Sequence, residues 1–356
     1  MKHETLSAYQ RRFKALLGLL LAIVVALQSP QAALSTGSSS QPQVKISQPY
    51  THKNLAIFLV YAPDQIRGKS YLTLQEAMQQ KRVIVHETGS VNELAIENVS
   101  GDSDVYVQSG DIVKGGRQDR VLITDLIVPP RSGRIPINSF CVEQGRWQKR
   151  GQESSDRFSA SSALLATKDL KLAAKQKGEQ QEVWRNVALA QEKLSGVVGA
   201  GEGGGSSVQV RAAQSPSSLQ LTLESAPVQE ATDSYVKALA GIIEGKSDVI
   251  GYAFAINGKL NSAEVYASSA LFRKLWPKLL KATAVEAVSE PAKASAALPE
   301  EAVKAFLADI EKGKASEKII TSRTKTVTLE TDKLLMFESR DQQEKEQWVH
   351  RSYIVK

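Results

Sequence analysis

Two short stretches of the chain hold residue types and spacings that could do chemistry. The first is Gly110-Asp111-Ile112-Val113-Lys114-Gly115-Gly116-Arg117-Gln118-Asp119-Arg120. It opens as a phosphate loop does, with four residues between two glycines. Gly116 and Arg117 then stand where that loop needs a lysine for the phosphates and a hydroxyl for magnesium. Nucleotide hydrolysis is therefore excluded. What is left is a glycine turn needing positive φ and carrying Arg117, Gln118 and Arg120. Backbone N–H groups and guanidinium forks in such a turn can receive an anion, although an ordinary exposed hairpin needs the same glycines.

The second stretch is Cys141-Val142-Glu143-Gln144-Gly145-Arg146-Trp147. A cysteine near an arginine can acquire a depressed pKa and become nucleophilic. Cysteine catalysis also needs a base, normally histidine. Beyond residue 35 the chain has His52, His86 and His350, none in a context that matches a catalytic motif. After Ile135, Ile137 and Phe140, a lone cysteine is expected to pack as a small hydrophobe. Three scattered histidines and one thiol lack zinc-site spacing. Asp102 and Asp104 flank Ser103 without the further acidic ligands of a calcium loop. No metal and no cofactor is expected. From Lys114 to Arg150 there are eight basic and three acidic residues, a local net of +5 that suits an anionic partner.

The elements that must position these residues follow from hydrophobic patterning. Leu55 to Tyr61 is a continuous apolar run before Pro63 and reads as a buried strand. Thr73 is placed to cap a short helix ahead of Glu76. Val83–Val85, the alternating Leu94 and Ile96, Val105–Val107, Val121–Val128 and the run from Ile135 to Phe140 predict short antiparallel strands separated by turns. Residues 158–194 have a helical composition, with apolar positions such as Leu164, Leu172, Val183 and Val187. Residues 196–216 form a glycine and serine loop, expected to be a solvated linker. A helix over Val228–Glu244 precedes a hairpin, Val249–Ile256 and Leu260–Tyr266, turned by Asn257-Gly258 as type I′. An amphipathic helix through Leu271 and Leu279 is expected to be kinked or begun at Pro277. After a Pro- and Ala-rich stretch, a short helix (Val303–Ile310) and a meander of strands (Thr326–Leu329, Leu334–Phe337, Trp348–Ile354) end the chain. The fold class is α+β: an antiparallel, strand-rich first half, a mixed helix and hairpin second half, and a small C-terminal meander.

Targeting is written in the first 35 residues. Arg11, Arg12 and Lys14 form a basic region, Ala15 to Leu27 is an uncharged apolar run, and Ala33-Leu34-Ser35 offers a peptidase site. The apolar run is short against the ~20 residues of a spanning helix. A cleaved secretory signal at 1–35 is expected, with an N-terminal membrane anchor as the alternative, then a flexible tether at 36–49. The formal charge of +7 falls to +4 without the signal, which argues against a dedicated nucleic-acid binder. One cysteine cannot staple an exported protein internally, so stability must come from a packed core.

Tyr71-Leu72-Thr73-Leu74-Gln75-Glu76-Ala77, the two stretches above, Val128-Pro129, Gly251-Tyr252-Ala253-Phe254 and Leu275-Trp276-Pro277-Lys278-Leu279-Leu280 occur in this order. In these strings the chain resembles the ARG and rhodanese-phosphatase-superfamily-associated protein domain family over residues ~50–290. The resemblance implies one α+β domain with the glycine loop as an insertion, and residues 291–356 as linker, short helix and strands. It maps the family's strings onto Gly115, Gly116, Arg117, Gln118, Arg120, Cys141, Glu143 and Gln144, and implies no established activity. Phosphatase or rhodanese chemistry does not transfer, because Arg146 follows Cys141 too closely for a Cys-x5-Arg loop. The expected function is a non-catalytic binding or accessory domain outside the cytoplasmic membrane. Its anionic or polymeric ligand would be held by those eight residues with Arg146 and Trp147. The alternative is an uncharacterised hydrolase or transferase using Cys141 or Glu143.

Overall fold

The computed structural model describes residues 44–199 and 208–356. The central element is a nine-stranded antiparallel sheet. Its strands run in the order Lys45–Ile46, Leu55–Tyr61, Val249–Ile256, Lys259–Tyr266, Gln347–Val355, Leu334–Asp341, Thr324–Glu330 and Lys314–Ile319, with Tyr50–His52 also pairing Leu55–Tyr61. The apolar run at Leu55–Tyr61 is buried on both faces by the two-residue period of a strand. Leu55, Ile57 and Leu59 face one core, while Phe58 and Val60 face another. Burying each such side chain stabilises by about 1.5–3 kcal/mol. Asn257 and Gly258 both take positive φ, +50° and +72°, as the type I′ turn requires.

Helices Gln180–Gly199, Ala226–Leu239 and Ser269–Val288 cover one face of this sheet; Glu300–Asp309 covers the other. The long helix begins at Ser269, capped by Ser268 Oγ on the Leu271 amide, and continues through Pro277 instead of starting there. Its Trp276 meets Tyr252 of the sheet edge-on at 5.4 Å.

A second, six-stranded sheet has the order Phe158–Leu164, Asp111–Gly115, Arg120–Leu122, Arg134–Cys141, Glu93–Asn98 and Val83–Glu87. A third, of three strands, joins Leu126–Val128, Val105–Val107 and Leu72–Thr73, the last pair parallel. Thr73 caps its helix as expected, in a reciprocal capping box with Glu76.

The structure departs from the sequence expectations at several places. Val121–Val128 is two strands in two sheets, because the chain breaks at Ile123–Asp125, where Asp125 Oδ1 accepts from the Ser109 amide at 2.7 Å. Phe158–Leu164 is a strand, with helix only from Lys168: pairing with Asp111–Gly115 overrides a Ser- and Ala-rich segment of weak preference. Lys45–Ile46, inside the expected tether, pairs with Val60 and Tyr61. Of the expected linker at 196–216, residues 200–207 lie outside the described residues; Val210 and Ser215 are buried, so its far end is packed. The C-terminal strands pair directly with the Lys259–Tyr266 strand, Ser262 opposite Ile354, and so extend the central sheet. The expected signal segment lies outside the described residues.

Candidate functional site

The two motif stretches meet because their strands are neighbours: Arg120 sits opposite Cys141 and Val121 opposite Phe140. Gly115 and Gly116 turn the chain with φ of +114° and +55°. A Cβ on Gly116 would run into the Phe158 ring, so both conformation and space demand glycine. The turn aims Gln118, Asp119 and Arg120 inward, where they are 4 %, 0 % and 0 % exposed. Glu143 comes to meet them. Gln118 Nε2 donates to its carbonyl at 2.7 Å, and the Asp119 amide donates to Glu143 Oε2 at 3.0 Å.

Two buried carboxylates side by side need two cations, and two arginines supply them. Arg146 grips Glu143 in a fork, Nε to Oε1 at 2.7 Å and Nη2 to Oε2 at 2.6 Å. Arg150 grips Asp119 in a second fork, with both bonds at 3.0 Å. Ser215 Oγ donates to Glu143 and Ser218 Oγ to Asp119 at 2.8 Å, which ties the far end of the glycine insertion to the motif. Burial pushes the Asp119 carboxyl up, the Arg150 fork opposes, the Glu143 charge adds, and Asp119 ends above the usual range. Burial also pushes on Glu143, but hydrogen bonds from Arg146, Ser215 and the Asp119 amide outweigh it and hold that carboxyl low. Two charges cancel two.

Cys141 is wholly buried. Its thiol is pushed up to about 11 by burial, against the field of Arg120, whose Nη1 contacts the sulfur. That is the environment of a packing cysteine and gives no support to a thiolate nucleophile. Glu143, its carboxylate occupied by two arginines and a serine, offers no free acid or base.

Of the ten candidate ligand residues, Gly115, Gly116, Gln118, Arg120, Cys141 and Glu143 are thus interior, and Arg146 is largely so. Arg117, Gln144 and Trp147 lie at the surface. Trp147, 42 % exposed, contacts two cations: the Arg117 and Arg120 guanidinium carbons each stand 5.5 Å from its ring centre. The Arg117 side chain and the exposed Lys149 make no ion pair among the described residues.

A second polar centre escaped the sequence. His350, buried in the Gln347–Val355 strand, lies between two carboxylates, Nδ1 2.8 Å from Asp125 Oδ2 and Nε2 2.9 Å from Glu264 Oε2. Holding both bonds requires a proton on each nitrogen. Burial lowers the imidazole pKa, but the two carboxylates overcome it and raise it to about 9. Glu264 falls to about 2 despite burial, through Lys171 and His350. Tyr266 stacks on the imidazole at 4.4 Å. Beside this triad is a cavity of about 200 Å³, reached by Lys175 from a π-helical turn, Ala173–Lys177. The partners of His350 come from two distant segments, Asp125 and the Glu264–Tyr266 strand end, which no local pattern reveals. Its burial in an apolar strand run was the one available signal.

The fold and the motif network together define an α+β domain in which a glycine turn is locked by a buried four-charge cluster. The model of the ARG and Rhodanese-Phosphatase-superfamily-associated Protein domain matches residues 43–354, and the chain belongs to that family. The match runs through the C-terminal strands, beyond the ~290 that the motifs reached, consistent with one continuous sheet. No curated protein and no solved structure matches the chain. Among the described residues, no helix is long and apolar enough to cross a membrane.

Proposed function

We propose that the chain is an exported, non-catalytic binding domain that recognises an anionic, extended partner through the outer edge of the glycine turn. The observation that carries this reading is the Arg117–Trp147 stack. Arg117 is an exposed guanidinium without a counter-ion among the described residues, set on an exposed indole, with Lys149 nearby in sequence. The buried half of the motif serves as its mount: buried Arg120 also contacts the indole, and the Asp119–Arg150 and Glu143–Arg146 forks fix the turn. A rigid cation on an aromatic plane loses little entropy on binding, which favours recognition. Export is supported by the basic region, apolar run and Ala33-Leu34-Ser35 site, and places the partner in the envelope or outside the cell.

The test is retention on an immobilised polyuronate beside a neutral dextran. The wild type is expected to bind the first alone, and Arg117→Ala and Trp147→Ala are expected to lose binding while melting as the wild type does. Equal retention of both variants and the wild type would refute the assignment.

A further inference from the structure

The cavity beside His350 has a charge imbalance. The cluster at its base contains Asp125 and Glu264 as anions, and His350, Lys171 and Lys175 as cations. Lys171 is committed to Glu264 at 3.2 Å, and His350 to both carboxylates. Lys175 is the surplus. Its ammonium stands 4.9 Å from the Phe337 ring centre and makes no hydrogen bond or ion pair among the described residues. Desolvation draws its pKa below the ordinary lysine value, in spite of the attraction of Asp125 and Glu264.

Two hydroxyls in the same wall lack partners as well. Thr326 and Ser339 are directly opposed across their strand pair and so project to one face. Both residues line the cavity, and Thr326 Oγ1 and Ser339 Oγ are buried without a hydrogen-bond partner among the described residues, Ser339 being only 3 % exposed. Buried polar atoms left unsatisfied are costly, and each calls for an explanation. The π-helical turn that presents Lys175 is itself a feature that recurs at functional sites. Ile123, Ile320 and Phe337 contribute apolar surface to the same lining.

We propose that this cavity binds a small organic monocarboxylate. The carboxylate pairs with the Lys175 ammonium and accepts from the Thr326 and Ser339 hydroxyls, and a short aliphatic tail lies against Ile123, Ile320 and Phe337. Of the other charged lining residues, Glu338 is paired with Arg351 at 2.5 Å and Lys318 is exposed. The buried ammonium of Lys175 is therefore the group that matches a carboxylate, and the half-apolar lining disfavours a phosphate, which is polar on every side. The site is separate from the Arg117–Trp147 edge and does not depend on its function.

Calorimetric titration of the purified chain with valerate, and separately with inorganic phosphate, tests the assignment. Saturable binding of valerate is expected, with phosphate at least about tenfold weaker. Lys175→Gln and the double variant Thr326→Val, Ser339→Ala are each expected to weaken valerate about tenfold or more. Arg117→Ala serves as the control and leaves valerate binding unchanged, which separates this site from the polyanion surface. Absence of saturable valerate binding, tighter binding of phosphate, or undiminished valerate binding by folded Lys175→Gln would each overturn the proposal. Should Lys175→Gln unfold, 13C-methylation of the lysines in the wild type reads the same contact. One lysine with a depressed pKa should shift upward on valerate addition, and an unmoved resonance would equally overturn it.

Discussion

Cys141 and Gly116 show how differently two motif residues can depend on their surroundings. The Cys141 thiol, buried and raised to about 11, should resist alkylation in the folded chain. Iodoacetamide labelling between about pH 6 and 9 should be slow beside a denatured control, whose thiol titrates near ~8.5. Rapid native labelling would restore the enzymatic alternative. Gly116 is held at φ +55° against Phe158, so Gly116→Val should lower stability by more than ~1 kcal/mol in urea unfolding. Arg117→Ala, on an exposed side chain with no ion pair among the described residues, should leave the midpoint nearly unchanged. Equal large losses from both would mean that Arg117 also holds the turn. The sequence showed that Gly116 needs positive φ, and that Cys141 follows an apolar lead-in. It could not show that Asp119 and Glu143 turn inward, because their partners Arg146, Arg150, Ser215 and Ser218 arrive through sheet pairing and a long insertion.

At the scale of elements, the His350 triad joins the central sheet to the break at Ile123–Asp125. Its pKa is raised from 6.5 to about 9 on folding, so the protonated imidazole stabilises the fold. The sign follows: this contribution is fully present below about pH 6.5 and is lost as pH rises through about 9. For a shift of this size the loss is about 3 kcal/mol. Wild-type urea midpoints should therefore fall between pH 6.5 and 9, and those of His350→Asn should start lower and change little there. Parallel slopes would contradict the assignment. Strands with strong local character, such as Leu55–Tyr61 and the Val249–Tyr266 hairpin, were legible because apolar period and turn residues agree. Phe158–Leu164 was not. Its alternation of small residues leaves the choice to the partner strand Asp111–Gly115, which contributes register from 40 or more positions away.

Across the whole molecule, fold class and family were legible in the sequence, while the pairing that makes one sheet from the two ends of the chain was not. Strand pairing between Ser262 and Ile354 has no local signature, so the C-terminal meander looked separate. Export is proposed for the whole chain. Extracytoplasmic material should begin near Thr36 by N-terminal sequencing, following the Ala33-Leu34-Ser35 site. Recovery of a chain starting at Met1 from membranes would establish the anchor instead.

The proposed binding function places the ligand at the outer edge of the motif, with the buried side only bracing it. Salt dependence of polyuronate affinity tests it most directly, because each cation that releases a counter-ion contributes to the slope of log K against log salt. The wild type should lose affinity steeply with salt. The double variant Arg117→Ala, Lys149→Ala, with an unchanged melting temperature, should bind more weakly and show a shallower slope. A slope identical to the wild type's would place the binding cations elsewhere and rule out the outer edge as the binding site.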